Sequence, residues 1–275
     1  MLKKLLFPLL LCLLLAGCDR GVPAPSPAVS TETQEFSTSI FAMDTVMDLK
    51  IFGDDRAPLD KAAELITSLE NTLSTTDSGS EIYALNHSGS VSLSENSAAL
   101  MRRALELCEE TDGALDISIY PVVRTWGFTT GSYRIPSQEE LDGLLTHVDH
   151  TKVQLSADDV VTIPEGMELD LGSIAKGYTG DMVCDYFRTQ GITSALLNLG
   201  GNVQTVGTKP DGSLWRIGIQ DPENTGEYLG VVAINDEAVI TSGGYERFFT
   251  GEDGQTYWHI IDPATGAPAR SGIFW

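Results

Sequence analysis

Residues 160–189 read VVTIPEGMELDLGSIAKGYTGDMVCDYFRT, an apolar alternation that runs directly into apolar spacing of helical period. The pattern predicts a strand over 160–169 and a helix beginning at 170–173. Any fold for this chain must therefore place Asp170, Gly172 and Ser173 where a strand stops and a helix starts. Ser173 is a natural N-cap, and the first N–H groups of a helix have no partner within it. Such an end attracts anions, phosphates above all. Asp170 beside a phosphate would repel it unless a cation such as Mg²⁺ lay between them. An ordinary capped junction explains the same residues, and at this level both readings stand.

Charge narrows the choice of ligand. The 275-residue chain is 42% hydrophobic, ordinary for a globular protein, and its formal net charge is −22. Removing residues 1–17 takes Lys3 and Lys4 and leaves 15 basic against 39 acidic side chains, or −24. Nucleic acid, held chiefly by Lys and Arg on phosphate, is excluded as a partner. A phosphate ligand would need a local device: a helix N-terminus, backbone amides or a metal.

Residues 1–18, MLKKLLFPLLLCLLLAGC, have two lysines, an apolar run and then small residues, the pattern of a secretory signal. Their Leu-Ala-Gly-Cys ending resembles the bacterial lipoprotein signal. By that resemblance, residues 1–17 are removed and Cys18 becomes the lipidated, palmitate-bearing first residue. Residues 18–35, rich in Pro, Ser and Ala, read as a flexible tether, and 36–275 as one catalytic domain. The expected location is the cell membrane, lipid-anchored on its extracytoplasmic side. Cys108 and Cys184 fall on predicted helix faces and read as buried free thiols.

Within the folded part, apolar alternation predicts a strand over 35–52 that includes the FAMDT string with Met43. Helices follow over 59–73, 94–111 (capped by Ser94) and 137–148, with a short helical piece before residue 86. Residues 114–128 combine a β-like run, Pro121 and an exposed-looking Trp126-Gly127-Phe128. After the central junction, SALLNLGGNVQTVG predicts two strands, and further strand signals recur to HIID. Helices dominate the first half and strands the second, which favours an α+β fold with mixed or antiparallel sheets flanked by helices.

Neither G-x-S-x-G nor H-E-x-x-H occurs, and GSIAKGYT lacks Walker A spacing. His147 and His150 read as solvated helix-end histidines rather than zinc ligands. Gly200-Gly201-Asn202 is either a hairpin turn or a place where backbone approaches a ligand. Trp126 and Phe128 are either core aromatics or a stacking surface for a flat ring. His259, taken alone, reads as structural.

Together the strings FAMDTVM, LSTTDSGSEIYALN, TDGALDISIYPVVRTWGF, ELDLGSIAKGYTGD, LLNLGGNVQTVG, ITSGGYERFF and HIIDPATGAP resemble the FAD:protein FMN transferases, the ApbE family. They occur in the family's order from Phe41 to about Pro268. The resemblance implies FAD as substrate and Mg²⁺ as cofactor. It implies a reaction that cleaves the FAD pyrophosphate, moves FMN to a Ser/Thr hydroxyl of a partner flavoprotein and releases AMP. Typical acceptors are membrane redox subunits or secreted flavoproteins. By the same resemblance Met43, Trp126, Gly127, Phe128, Asp170 and Lys176 contact FAD. Ser173 gives a backbone carbonyl to Mg²⁺, and His259 is the catalytic-site histidine near the nucleotide. The acceptor hydroxyl needs a base, for which an acidic side chain near the metal is the natural candidate.

Two departures accompany the resemblance. Thr76 stands where an aromatic commonly follows the family's Leu-Ser-Thr. Members of the family also continue to an Asp-Ala-x-x-Thr segment that completes the metal site, and nothing like it follows Pro268 here. The expectation is a weakly active or inactive form with an exposed sheet edge. A non-catalytic flavin-binding lipoprotein is the alternative reading, and a purely structural surface lipoprotein the third.

Overall fold

The computed structural model describes residues 33–270 and residue 272, apart from residues 225, 245 and 246. The expected leader, Cys18 and most of the expected tether lie outside the described residues. The tether's last two residues belong instead to the first strand, β1 (Gln34–Ala42). It pairs along its whole length with β2 (Thr45–Gly53), Ala42 facing Thr45 and Gln34 facing Gly53. The single strand expected over 35–52 is thus a hairpin. Met43 and Asp44 form its two-residue loop, with φ of 49° and 59°. That left-handed pair suits the twist of a hairpin, but Met-Asp lacks the Asn-Gly signature that would reveal it.

The chain continues through α1 (Ala57–Leu73), α2 (Glu81–Ser88), β3 (Ser90–Ser92), α3 (Glu95–Glu110), α4 (Tyr120–Trp126) and α5 (Gln138–Leu145). Short strands β4 (Gln154–Leu155) and β5 (Val160–Thr162) lead to α6 (Gly172–Thr189). Then come β6 (Ala195–Leu199), β7 (Asn202–Val206), β8 (Trp215–Gln220), β9 (Tyr228–Ile234), β10 (Ala238–Ile240), β11 (Phe248–Thr250) and β12 (Thr256–Trp258). The main sheet is antiparallel in the order β1-β2-β6-β7-β10. Smaller antiparallel sheets are β3-β5-β4, β8-β9 and β11-β12. The α+β expectation holds, with most helices early and most strands late.

Several local expectations fail for identifiable reasons. Pro164 and Gly166 (φ 83°) turn the chain after Thr162, so β5 covers only the start of the strand expected over 160–169. Pro121 sits in the first turn of α4, where a missing N–H costs nothing, so the β-like run enters a helix. Trp126 and Phe128, exposed-looking in sequence, are 2% and 6% exposed, in keeping with the core-aromatic one of their two readings. Ser94 does precede α3, but its hydroxyl donates to Glu81 rather than capping the helix. The helix expected over 137–148 is present as α5, and Ser137 caps it by accepting from Glu140 N–H. Gly200 and Gly201, with φ of 67° and 87°, make the β6–β7 turn, and Thr45 packs where a Gly200 side chain would stand.

Burial falls into three clusters. One lies between the main sheet and helices α1 and α6, with Met47, Leu49, Ile66, Val183, Phe187 and Leu197 at its centre. A second joins α2, α3 and the start of α6 through Leu85, Met101, Ile117, Leu169 and Leu171. The third packs α4 and α5 against Phe249, Tyr257 and Ile261. Cys108 and Cys184 are buried free thiols in the second and first clusters, as expected. Phe187 is wholly buried and is the largest such side chain. Phe187→Ala is expected to cost about 3–5 kcal/mol, the range for truncating a buried aromatic ring, measured by urea unfolding. An unchanged midpoint would contradict the placement of α6 on the sheet.

Candidate active site

The start of α6 is held by the side chain that precedes it. Leu171, not Ser173, occupies the cap position, and Asp170 Oδ1 accepts from Gly172 N–H at 2.7 Å. Ser173 is an exposed residue in the first turn. The sequence reading of Ser173 as N-cap is therefore corrected. Its hydroxyl is the usual capping group, but here a carboxylate two residues before Gly172 performs the task. Asp170 is half-buried, and burial pushes its carboxyl above the ordinary carboxylate range. The Gly172 N–H, Arg247 and Lys176 oppose that shift. One turn along the helix, burial and then Arg247 push the Lys176 ammonium below its ordinary range, against Asp44 and Asp170.

Met43 and Asp44 reach this group from the β1–β2 loop. Met43 holds a left-handed backbone that residues other than glycine, asparagine and aspartate seldom adopt. Its N–H donates to Glu70 Oε1 at 2.8 Å, and its side chain packs against both large clusters. Thr179 Oγ1 of α6 lies 3.9 Å from Met43 Sδ. Asp44 Oδ2 meets Arg247 at 3.4 Å, an exposed pair that joins the hairpin tip to the segment before β11. Strain held in place by partners on separate elements is a common mark of a functional position.

Arg247 connects the charged group to an aromatic one. Its carbonyl accepts from His259 N–H at 3.1 Å and lies 3.3 Å from His259 Nδ1. A carbonyl can only accept, so this contact has the proton on His259 Nδ1. The His259 ring meets Phe128 edge-on at 6.4 Å between centroids. Phe128 in turn contacts Tyr133 and Phe249, while Trp126 lies tilted against Tyr257 at 5.2 Å between centroids and donates to the Gly266 carbonyl at 2.8 Å. Gly127 between them has φ 88°, and a Cβ there would stand 2.2 Å from the Ser132 carbonyl oxygen. Glycine is required at that helix end.

Contacts thus link Met43, Asp44, Arg247, His259 and Phe128, and through Phe249 also Trp126, while Asp170 and Lys176 share the electrostatic surroundings of Arg247. Asp44, Glu70, Thr179 and Arg247 were missed in the sequence. Asp44 and Arg247 do lie inside the FAMDT and YERFF strings, where the family resemblance was their one signal. His150, read as solvated, is instead 13% exposed in its side chain, with Nδ1 3.0 Å from Asp116 Oδ2. A depression of about 260 Å³ between α6 and the strands, lined by Asp181, Asp185, Arg188 and Asp236, shares no residue with this group. Among the described residues no three His, Cys, Asp or Glu side chains converge as a metal cage.

The comparisons with known proteins bear directly on this constellation. The ApbE family model matches residues 43–274. The chain belongs to the ApbE family. It is 33% identical over 244 residues to a FAD:protein FMN transferase of Klebsiella pneumoniae, covering 86% of this chain and 75% of that protein. A FAD:protein FMN transferase of Treponema pallidum is also 33% identical, over 264 residues, covering 87% of this chain and 73% of that protein. Among solved structures, the ApbE protein of Thermotoga maritima superposes with a TM-score of 0.82 at 30% identity, covering 86% of this chain and 79% of that one. The flavin transferase ApbE of Vibrio cholerae gives 0.75 at 29% identity with the same coverage. This ApbE-family chain thus spans about three quarters of the curated relatives' length.

The shift at Asp170 has a testable sign. A carboxyl whose pKa is raised by folding stabilises the fold below its unfolded pKa, and that contribution is lost as pH rises through the folded pKa. Asp170→Asn keeps the acceptor for Gly172 N–H and removes the charge. The variant is expected to melt above the wild type at pH 8, with the gap closing as pH falls toward 3. A variant that melts lower at pH 8 would show that Asp170 is stabilised as an anion.

Proposed function

We propose that this chain is a Mg²⁺-dependent FAD:protein FMN transferase, moving FMN from FAD to a Ser/Thr hydroxyl of a partner flavoprotein and releasing AMP. The observation that carries the reading is the Asp44–Arg247 ion pair, with Asp170 and Lys176 at the start of α6 within electrostatic reach of Arg247, in a chain of the ApbE family. The relatives' names supply flavin transfer; the acceptor type, the metal and the leaving group are this proposal's own.

In the reaction a bond forms between the acceptor oxygen and the FMN phosphorus. The bond from that phosphorus to the bridging oxygen breaks, and AMP leaves with the bridging oxygen. Lys176 and Arg247 supply local positive charge to the diphosphate in a molecule of net charge −22. The Trp126–Phe128 segment offers aromatic surface beside the flavin, and Met43 a soft contact at the hairpin tip. His259, whose Nδ1 lies 3.3 Å from the Arg247 carbonyl, is the proposed acceptor of the hydroxyl proton.

The donor set fits a magnesium ion of the sparse kind, which uses one or two carboxylates with substrate phosphates and water. Asp170 and the Ser173 carbonyl would hold it. When bound, it would neutralise the pyrophosphate and the charge developing on the leaving oxygen. A carboxyl disfavoured as a bare anion, as Asp170 is, suits a position next to a cation. Lipid on Cys18 would anchor the enzyme at the extracytoplasmic membrane face, near acceptors of the same compartment.

Titration with FAD, with and without Mg²⁺, tests the reading. Binding strengthened by Mg²⁺, with AMP appearing one for one with covalent flavin on the acceptor, is expected. Absence of FAD binding under both conditions would overturn it, and binding without AMP release would leave a flavin-binding protein. In the same assay His259→Gln is expected to slow transfer by about 10²–10⁴-fold, the usual worth of a positioned base, with FAD affinity little changed. Transfer at the wild-type rate would remove His259 from proton transfer.

A further inference from the structure

Leu169, the residue before Asp170, is fully buried, and its backbone polar groups are bound by a side chain from far away in sequence. Asn86 Nδ2 donates to the Leu169 carbonyl at 2.9 Å, and Leu169 N–H donates to Asn86 Oδ1 at 2.7 Å. A carboxamide carries the donor and acceptor pair of a peptide unit, so Asn86 acts as one rung of a missing neighbouring strand. The opposite edge of the segment is also held. Asp170 N–H donates to the Ile117 carbonyl at 2.9 Å, and Ile119 bridges Glu168 in parallel. The turn that presents Ile117 is braced by buried Asp116, which accepts from Ser118 N–H at 2.8 Å, Ser118 Oγ at 2.6 Å and His150 N–H at 3.1 Å.

Asp170 therefore leaves a backbone gripped on two edges, one rung of which is a single side chain of α2. We propose that Asn86 is a positioning residue for Asp170: its amide fixes the Leu169 peptide and so aims the carboxylate that follows. Asn86 itself touches no reacting atom. The inference rests on the transferase reading for what Asp170 does, and on the hydrogen bonds alone for what Asn86 does. Groups that orient a ligand-binding side chain from behind typically change affinity or activity by about 10–100-fold when removed.

The experiment compares Asn86→Ala, Asn86→Asp and the distant core variant Ile51→Val with the wild type, using the whole chain. Amide hydrogen exchange at Leu169 and Asp170, FAD affinity and melting temperature are measured on each. Asn86→Ala is expected to speed exchange at both amides by at least about tenfold and to weaken FAD binding by at least about tenfold. Ile51→Val, destabilised elsewhere, is expected to change neither. Asn86→Asp keeps the acceptor for Leu169 N–H and loses the donor, so its effects should be intermediate; it also serves if the alanine variant does not fold. FAD affinity equal to the wild type in a folded Asn86 variant, or unchanged exchange at Asp170, would overturn the proposal. If the wild type binds no FAD the transferase reading falls with it, while the exchange comparison still decides whether Asn86 holds Asp170.

Discussion

Helix α6 is gripped at its two ends by different cores, and the site depends on that grip. Leu171, just before the helix, and Ala175 pack with α2 and α3, whereas Val183 and Phe187 pack between the main sheet and α1. Met43 and Met182 touch both clusters. Interiors packed at crystal-like density transmit displacement rather than absorb it. A helix fixed at both ends therefore holds Asp170 and Lys176 in a set relation to the hairpin tip that carries Met43 and Asp44. The hairpin is part of the same sheet that α6 covers, so one packing interface sets both sides of the group.

Electrostatics sharpens this arrangement. Acidic side chains outnumber basic ones by 39 to 17, and among the described residues most of the cations sit in ion pairs at the surface, each of small individual worth. Lys176 differs from these: burial disfavours its charge, and a neighbouring Arg247 adds to the effect. Asp170 is disfavoured as an anion by the same burial. Opposite charges that are each uncomfortable alone gain from an added ligand bearing phosphate and from a cation beside it. The field of the whole molecule would repel a dinucleotide, so affinity has to be generated within a few ångströms of α6.

Much of the architecture was legible in the sequence where periodicity and turn chemistry agreed. The helix at Ala57–Leu73, the Ser137 cap and the β6–β7 hairpin all carry their own local signals. Reading failed where tertiary contacts override local preference. Met43 is bent into a turn by Glu70, 27 residues away, and nothing in FAMDT marks a turn. The Trp126-Gly127-Phe128 string looks exposed in sequence, yet Gly127 ends a short helix and the Trp126 ring is covered by residues between 249 and 267. At the site, Asp170, Lys176 and His259 were named from motif matches. The structure adds Asp44, Arg247 and Asn86, whose importance lies in partners between 83 and 203 residues distant.

The two thiols of the folded part sit in separate cores, Cys108 among α3 residues and Cys184 against the sheet. Burial pushes Cys184 up to about 12 and also raises Cys108. A sulfur that stays protonated and out of reach neither attacks a disulfide nor accepts one. Once the fold has formed, both thiols are withdrawn from thiol–disulfide exchange, and a thiol reagent would reach them only through local or global unfolding.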